Sequence, residues 1–100
     1  MTVSIITRWT TPDVEASTKA ARQAKAVWMK HGASDFRLSQ IFTGPLTGQW
    51  LVRVSFSDMQ SYAKAQATVG ASTEMQKIQA ANAKAGATLQ ERMILVEADL

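Results

Sequence analysis

The sequence predicts an α+β fold in which four strands and two helical regions follow one another as β-α-β-β-α-β. Three observations predict it. Apolar residues alternate with period two in four short segments, they recur at helical spacing in two alanine-rich regions between them, and glycine, proline and capping residues fall at the joints. A chain of 100 residues, 46% apolar and 19% charged, has the usual size and composition of one domain with one core, so residues 1–100 are read as a single domain.

The first segment, Val3 to Trp9, sets Val3, Ile5, Thr7 and Trp9 against Ser4, Ile6 and Arg8, the alternation of a half-buried strand. Thr10-Thr11-Pro12-Asp13 then offers N-cap hydroxyls, a proline suited to a first helical turn, and an acid for the positive end of the helix dipole. In the helix that follows, Val14, Ala21, Ala24 and Trp28 form an apolar stripe widened by Ala20 and Val27, with small alanines that permit close approach to a sheet. Lys30-His31-Gly32 ends it, since glycine readily takes the left-handed conformation just past a helix C-terminus. Phe36 to Thr43 alternates as a second strand, and Gly44-Pro45-Leu46-Thr47-Gly48 reads as the hairpin connection to a third, Gln49 through Phe56.

Ser57-Asp58-Met59-Gln60 has the S-x-x-Q form of a capping box and starts a second helix carrying Met59, Tyr62, Ala63 and Val69 toward the sheet. Gly70 interrupts it. Ser72-Thr73-Glu74 can restart a helix bearing Met75, Ile78, Ala81 and Ala85 until Gly86, so the region is expected to be one broken helix or two consecutive ones. Leu89 to Glu97 is the fourth strand.

Two β-α-β units joined by a hairpin give, under the right-handed crossover rule, a ferredoxin-like four-stranded antiparallel sheet with its helices on one face. Trp50, Val52, Val54 and Phe56 on the third strand and Val3, Ile5 and Thr7 on the first then lie beneath the helices. Leu51, Arg53 and Ser55, with Ser4, Ile6 and Arg8, point to the bare face. Ile6 and Leu51 would sit exposed on central strands, which a second copy packed sheet to sheet in a C2 homodimer would cover.

Composition excludes several functions. There is no cysteine, hence no disulfide, thiolate metal site or cysteine nucleophile, and a reducing compartment is compatible. The N-terminal residues lack the pattern of a signal peptide and no stretch approaches the apolar length of a membrane span, so a cytoplasmic location with no membrane contact is expected. Net charge is +3, much of it from Lys19, Arg22, Lys25 and Lys30 on one helix, which reads as a solvated basic face. No nucleic-acid partner is expected: with the RNP1 pattern set on Val54-Ser55-Phe56, Leu51 and Arg53 stand where stacking aromatics belong. No dinucleotide, phosphate-loop, nucleophile-elbow or zinc-protease motif occurs, and no cofactor or metal is expected.

The order of elements, the strand ending Val54-Ser55-Phe56-Ser57-Asp58 ahead of a helix carrying Tyr62, the interrupted second helix and the final strand resemble the dimeric α/β-barrel superfamily. Its NIPSNAP-like, stress-responsive and antibiotic-biosynthesis-monooxygenase-like families range from cofactor-free oxygenases and haem-degrading enzymes to proteins without known activity. The resemblance implies two sheets closing around a cavity between protomers. The asparagine, tryptophan and histidine set of the haem-degrading members has no counterpart at matching strand positions, since Asn82 and His31 lie in helical segments.

Four residues are candidate ligand contacts. Arg8 and Arg53, on adjacent strands and on the same open face by parity, could bind a carboxylate or phosphate; the alternative is pairing with Glu91 or Glu97. Trp9 could line a cavity at its strand's end, and Tyr62 could orient a substrate, although a tyrosine on a buried helix stripe is ordinarily core. His31, the single histidine, is a helix-end dipole partner. The function expected is a homodimer binding a small apolar or anionic molecule between its sheets; the alternative is a cofactor-independent monooxygenase of an aromatic substrate, with residues such as Arg8 stabilising its anion.

Overall fold

The computed structural model describes all residues 1–100. Its elements are β1 (Val3–Thr10), α1 (Val14–Lys30), β2 (Asp35–Gln40), β3 (Trp50–Phe56), α2 (Met59–Gly70), α3 (Thr73–Lys84) and β4 (Thr88–Val96). The sheet is antiparallel throughout in the order β2-β3-β1-β4, with the helices on one face, which is the ferredoxin-like arrangement. No helix is long and apolar enough to cross a membrane.

The alternation sorts as expected. Ile5, Phe36, Val54 and Phe56 face the helices and form a core with Ala33 and Ala65; a second cluster, Ala20, Val27, Val69, Met75 and Ile78, lies between the helices. Phe56 is fully buried and takes Trp28 and Tyr62 edge-on, with ring centroids 5.9 and 5.7 Å away. Parity puts Ser4, Ile6 and Arg8 of β1 and Leu51, Arg53 and Ser55 of β3 on the opposite face, in register Ser4↔Ser55, Ile6↔Arg53 and Arg8↔Leu51. The Ser4 and Ser55 hydroxyls, both buried, bond to each other at 2.9 Å.

Local chemistry shifts several boundaries. α1 is capped by Asp13, whose carboxylate accepts from Ala16 N, and not by a threonine; Pro12 precedes the helix and the Thr11 hydroxyl instead accepts from Asp13 N. α2 is likewise capped by Asp58, which accepts from Ser61 N at 2.7 Å, one residue beyond the expected Ser57. At both sites a carboxylate displaces the hydroxyl, because a charged acceptor makes the stronger bond to a backbone N–H. Ser72 caps α3, so the broken region is two helices. β2 ends at Gln40, though Ile41 still exchanges backbone bonds with Gln49 and Gly48.

The inward stripes also differ in detail. On α2 they are Tyr62, Ala65 and Val69, while Met59 and Ala63 are exposed; on α3 they are Met75, Ile78, Asn82 and Ala85, while Ala81 is exposed. Gly86, at φ +95°, lets the chain turn from α3 into β4 against Pro12: a Cβ there would stand 2.7 Å from the proline Cγ. That close approach brings the end of α3 beside the start of α1.

Candidate ligand cavity

The helix layer does not close down on the whole of the sheet. Between them lies a cavity of about 660 Å³, within the usual range for small-molecule sites. Thr7 and Trp9 of β1, Leu38 of β2, Trp50 and Val52 of β3 and Leu89 of β4 wall it from the sheet; Val14, Ala21, Ala24 and Trp28 of α1 and Met75 and Ile78 of α3 wall it from the helices. All three tryptophans of the chain therefore meet there. Ala21 and Ala24 of α1 pack against the core cluster on the sheet and also border the cavity. Their side chains end at Cβ, and with Trp28 and Val14 flanking them they leave the space beneath α1 open.

The cavity wall holds one charged side chain, Arg92. It stands opposite Thr7 on the helix-facing side of β4, and its Nη2 donates to Gln66 Oε1 on α2 at 3.4 Å. No carboxylate neutralises it, the two ion pairs of the chain being Arg8–Glu91 and Arg37–Asp35. Gln66, Gln79 and Thr88 also reach the wall, and a further polar group forms where β1 runs into α1. Trp9 Nε1 donates to Thr7 Oγ1 at 2.8 Å, and Thr11, Ser17 and Asn82 form a hydrogen-bonded row. Nothing here groups into a metal-binding cluster of histidines and acids.

Of the four residues singled out from sequence, Trp9 lines this cavity and three do not. Tyr62 packs against Phe56 in the core. Arg8 and Arg53 share the open face, as parity requires, but stand diagonally across β1 and β3. Arg8 is engaged within its own chain: Nη1 donates to Gln49 Oε1, and Nε, buried and without a hydrogen bond, faces Glu91 Oε1 at 3.9 Å. Arg53 lies between Ile6 and Arg37 in register, and Arg37 is itself paired with Asp35 at 2.7 Å. That contact holds the Asp35 carboxyl below its ordinary range, chiefly through the Arg37 side-chain hydrogen bond. His31 caps α1 through its backbone N–H, at the helix end where its position placed it.

Sequence reasoning missed Arg92 and Asn82 as cavity residues. Both carried a signal. Arg92 has the parity of Ile94 on β4, and Asn82 follows Ile78 by four residues and Met75 by seven, which puts it on the buried stripe of α3.

Neither a scan against protein-family models nor a search of curated proteins finds a match for this chain. Solved structures do resemble it. A variant of SnoaB, a cofactor-independent oxygenase from Streptomyces nogalater, superposes with a TM-score of 0.73 at 13% identity, over 99% of this chain and 95% of that one. An uncharacterized NIPSNAP domain protein from Burkholderia xenovorans gives 0.72 at 17% identity, over 98% and 95%. A putative antibiotic biosynthesis monooxygenase from Deinococcus radiodurans gives 0.70 at 11%, over 100% and 95%. The chain shares the ferredoxin-like fold of the antibiotic-biosynthesis-monooxygenase-like and NIPSNAP-like proteins.

Proposed function

We propose that this protein is a homodimer that binds a flat, apolar molecule bearing one anionic group, in the cavity between the helices and the sheet of each protomer. The observation that carries the reading is the lining: three indole rings and aliphatic side chains enclose the space, and its one charge, Arg92, lacks a carboxylate partner. Aromatic walls favour a flat aromatic ligand through burial and ring packing, and an unpaired guanidinium offers a carboxylate or phenolate two parallel donors. This reading puts the ligand inside one protomer, whereas the sequence alone suggested the space between the two sheets.

The dimer rests on the other face. Met93 and Leu95 of β4, 40% and 44% exposed, continue the apolar patch of Ile6 and Leu51 across three strands. The body is a slab of 36 × 35 × 17 Å, whose broad face easily holds the roughly 800 Å² per partner of a stable interface. Only 14 of 100 residues are buried in the single chain, so much apolar surface is left for a second copy to cover. Arg8 and Arg53 would lie in that interface.

A titration of anthraquinone-2-carboxylate followed by calorimetry tests the cavity. Saturable binding is expected, weakened about tenfold by Arg92→Gln, the loss of one charge-assisted contact. Heat that does not saturate, or an Arg92→Gln protein that binds equally well, would sink the assignment.

A second reading, a cofactor-independent monooxygenase, is favoured by the combination of an apolar, aromatic wall with a cation suited to a substrate anion. It is also supported by the oxygenase SnoaB among proteins of this fold. In that chemistry a ring methylene gives four electrons to dioxygen, one oxygen atom becoming the carbonyl and the other leaving as water. Oxygen uptake with anthrone is the check, and a rate no higher than with buffer alone would leave the binding protein as the better description.

A further inference from the structure

We propose that Asn82 is the specificity-determining residue of the cavity, and that its amide N–H groups select ligands carrying an oxygen acceptor, such as a ring carbonyl, on an otherwise apolar body. This rests on the cavity being a ligand site.

Asn82 belongs to the inward stripe of α3 with Met75 and Ile78, where an aliphatic side chain would serve packing better. Its amide is oriented by the hydroxyl of Ser17, which itself belongs to a hydrogen-bonded row at the start of α1. Asp13 N donates to Thr11 Oγ1 at 3.2 Å, Thr11 Oγ1 and Ser17 Oγ lie 2.7 Å apart, and Ser17 Oγ donates to Asn82 Oδ1 at 2.8 Å. A hydroxyl has one proton to give. With that of Ser17 committed to Asn82, the Thr11 hydroxyl is left to donate either to Ser17 Oγ at 2.7 Å or to Asp13 O at 3.2 Å, and the shorter contact is the better bond. The asparagine carbonyl is thereby held toward α1, and the amide nitrogen, whose two protons meet no protein acceptor, is the free end.

Thr11, Ser17 and Asn82 all line the cavity, and they come from two parts of the chain, the start of α1 and the end of α3, that meet where Gly86 approaches Pro12. A preset donor in a mainly apolar space discriminates, because a ligand without an acceptor desolvates the N–H groups without return. Arg92 and Asn82 then have different tasks. Arg92 takes the charge of the ligand, and Asn82 reads an uncharged oxygen.

The test compares anthraquinone-2-carboxylate with anthracene-2-carboxylate, alike in ring system and charge but differing in the two ring carbonyls. The wild-type protein is expected to prefer the quinone about tenfold. Asn82→Ala should lower that ratio to about one, through weaker binding of the quinone with the anthracene acid unchanged. Asn82→Asp, which keeps an acceptor for Ser17 and removes the donors, should do the same to the ratio, and its thermal melt shows that the α1–α3 link is intact. Equal binding of both acids by the wild type, or a preference that survives both substitutions, overturns the role of Asn82 while leaving the cavity a ligand site. Binding of neither acid overturns the cavity reading and this one with it.

Discussion

One sheet carries two faces of opposite character, and the same four strands make both. Toward the helices, Val3, Ile5, Val54 and Phe56 are almost completely buried, yet further along the same strands Thr7, Trp9, Trp50 and Val52 border empty space. Away from the helices, Ser4 and Ser55 are buried by neighbours alone, whereas Ile6, Leu51, Met93 and Leu95 keep contact with solvent. The face that should be filled has a hole, and the face that should be wet has an apolar patch. Period two decides which residues share a face, but the partner across that face decides whether they are packed.

The comparison is broken most severely at the packed end of the helix face. Phe56→Ala should cost about 3 to 5 kcal/mol, the range for removing a fully buried ring, since Trp28 and Tyr62 lose their common partner. Val54→Ala should cost more than Val52→Ala, because Val54 is almost wholly buried in the core cluster whereas Val52 is half-buried at its border, although both touch the cavity. Urea unfolding measures both, and equal costs at the two valines would show that the space beside Val52 is filled.

On the open face the expected effect is on association. Leu51→Asp and Ile6→Asp should weaken the proposed dimer by on the order of 3 kcal/mol, a roughly hundredfold rise in dissociation constant, as each places a carboxylate without a guaranteed partner against the second sheet. The protomer's own melting should change far less than for Phe56→Ala. Sedimentation at micromolar concentration separates the outcomes, and a Leu51→Asp protein that stays dimeric would mean that the copies meet elsewhere.

Element order, sheet topology and the two faces were legible in the sequence because period and turn chemistry are local and the crossover rule leaves few topologies. The cavity was not. Ala21 and Ala24 can equally let a helix approach a sheet or leave a gap beneath it, and only the bulk of Trp9, Trp28 and Trp50 around them decides which. Arg8 and Arg53 drew attention as cations on one face, although Gln49 and Glu91, which engage Arg8, were as visible. Arg92 and Asn82 escape a reading by apolar spacing because each is a polar residue on an otherwise apolar stripe. The caps moved by a residue because serine or threonine and aspartate both fit an N-cap, and the choice between neighbours is geometric.

Filling the hole should change stability in the opposite sense. Ala24 lines the cavity and touches both core clusters, so Ala24→Leu places an isobutyl group in the open space and should raise stability by about 1 kcal/mol, as cavity-filling substitutions do. The same substitution should abolish binding of anthraquinone-2-carboxylate. A loss of stability would mean that α1 already sits too close to the sheet for the added carbons.

The smallest effect distinguishes the two faces by their acid response. Asp58 anchors the helix layer and Asp35 lies on the open face, and both carboxyls are held below the ordinary aspartate value of 3.8 by different means. Backbone donation from Ser61 lowers Asp58; the Arg37 side chain lowers Asp35. A carboxyl whose folded value is depressed contributes stability that is fully present above its unfolded value and lost as the pH falls through the folded one. Both contributions should therefore vanish on acidification below 3.8. They should differ in salt: the exposed Asp35–Arg37 pair is screened at about 0.5 M sodium chloride, whereas a carboxylate bonded to a backbone N–H is screened much less. In thermal melts across that pH range, Asp35→Asn should flatten the acid slope at low salt and have little further effect at high salt. Asp58→Asn keeps a capping oxygen and loses the titration, so it should flatten the slope at both. An Asp58→Asn slope equal to wild type at high salt would mean that the acid sensitivity of the helix layer arises at another carboxylate.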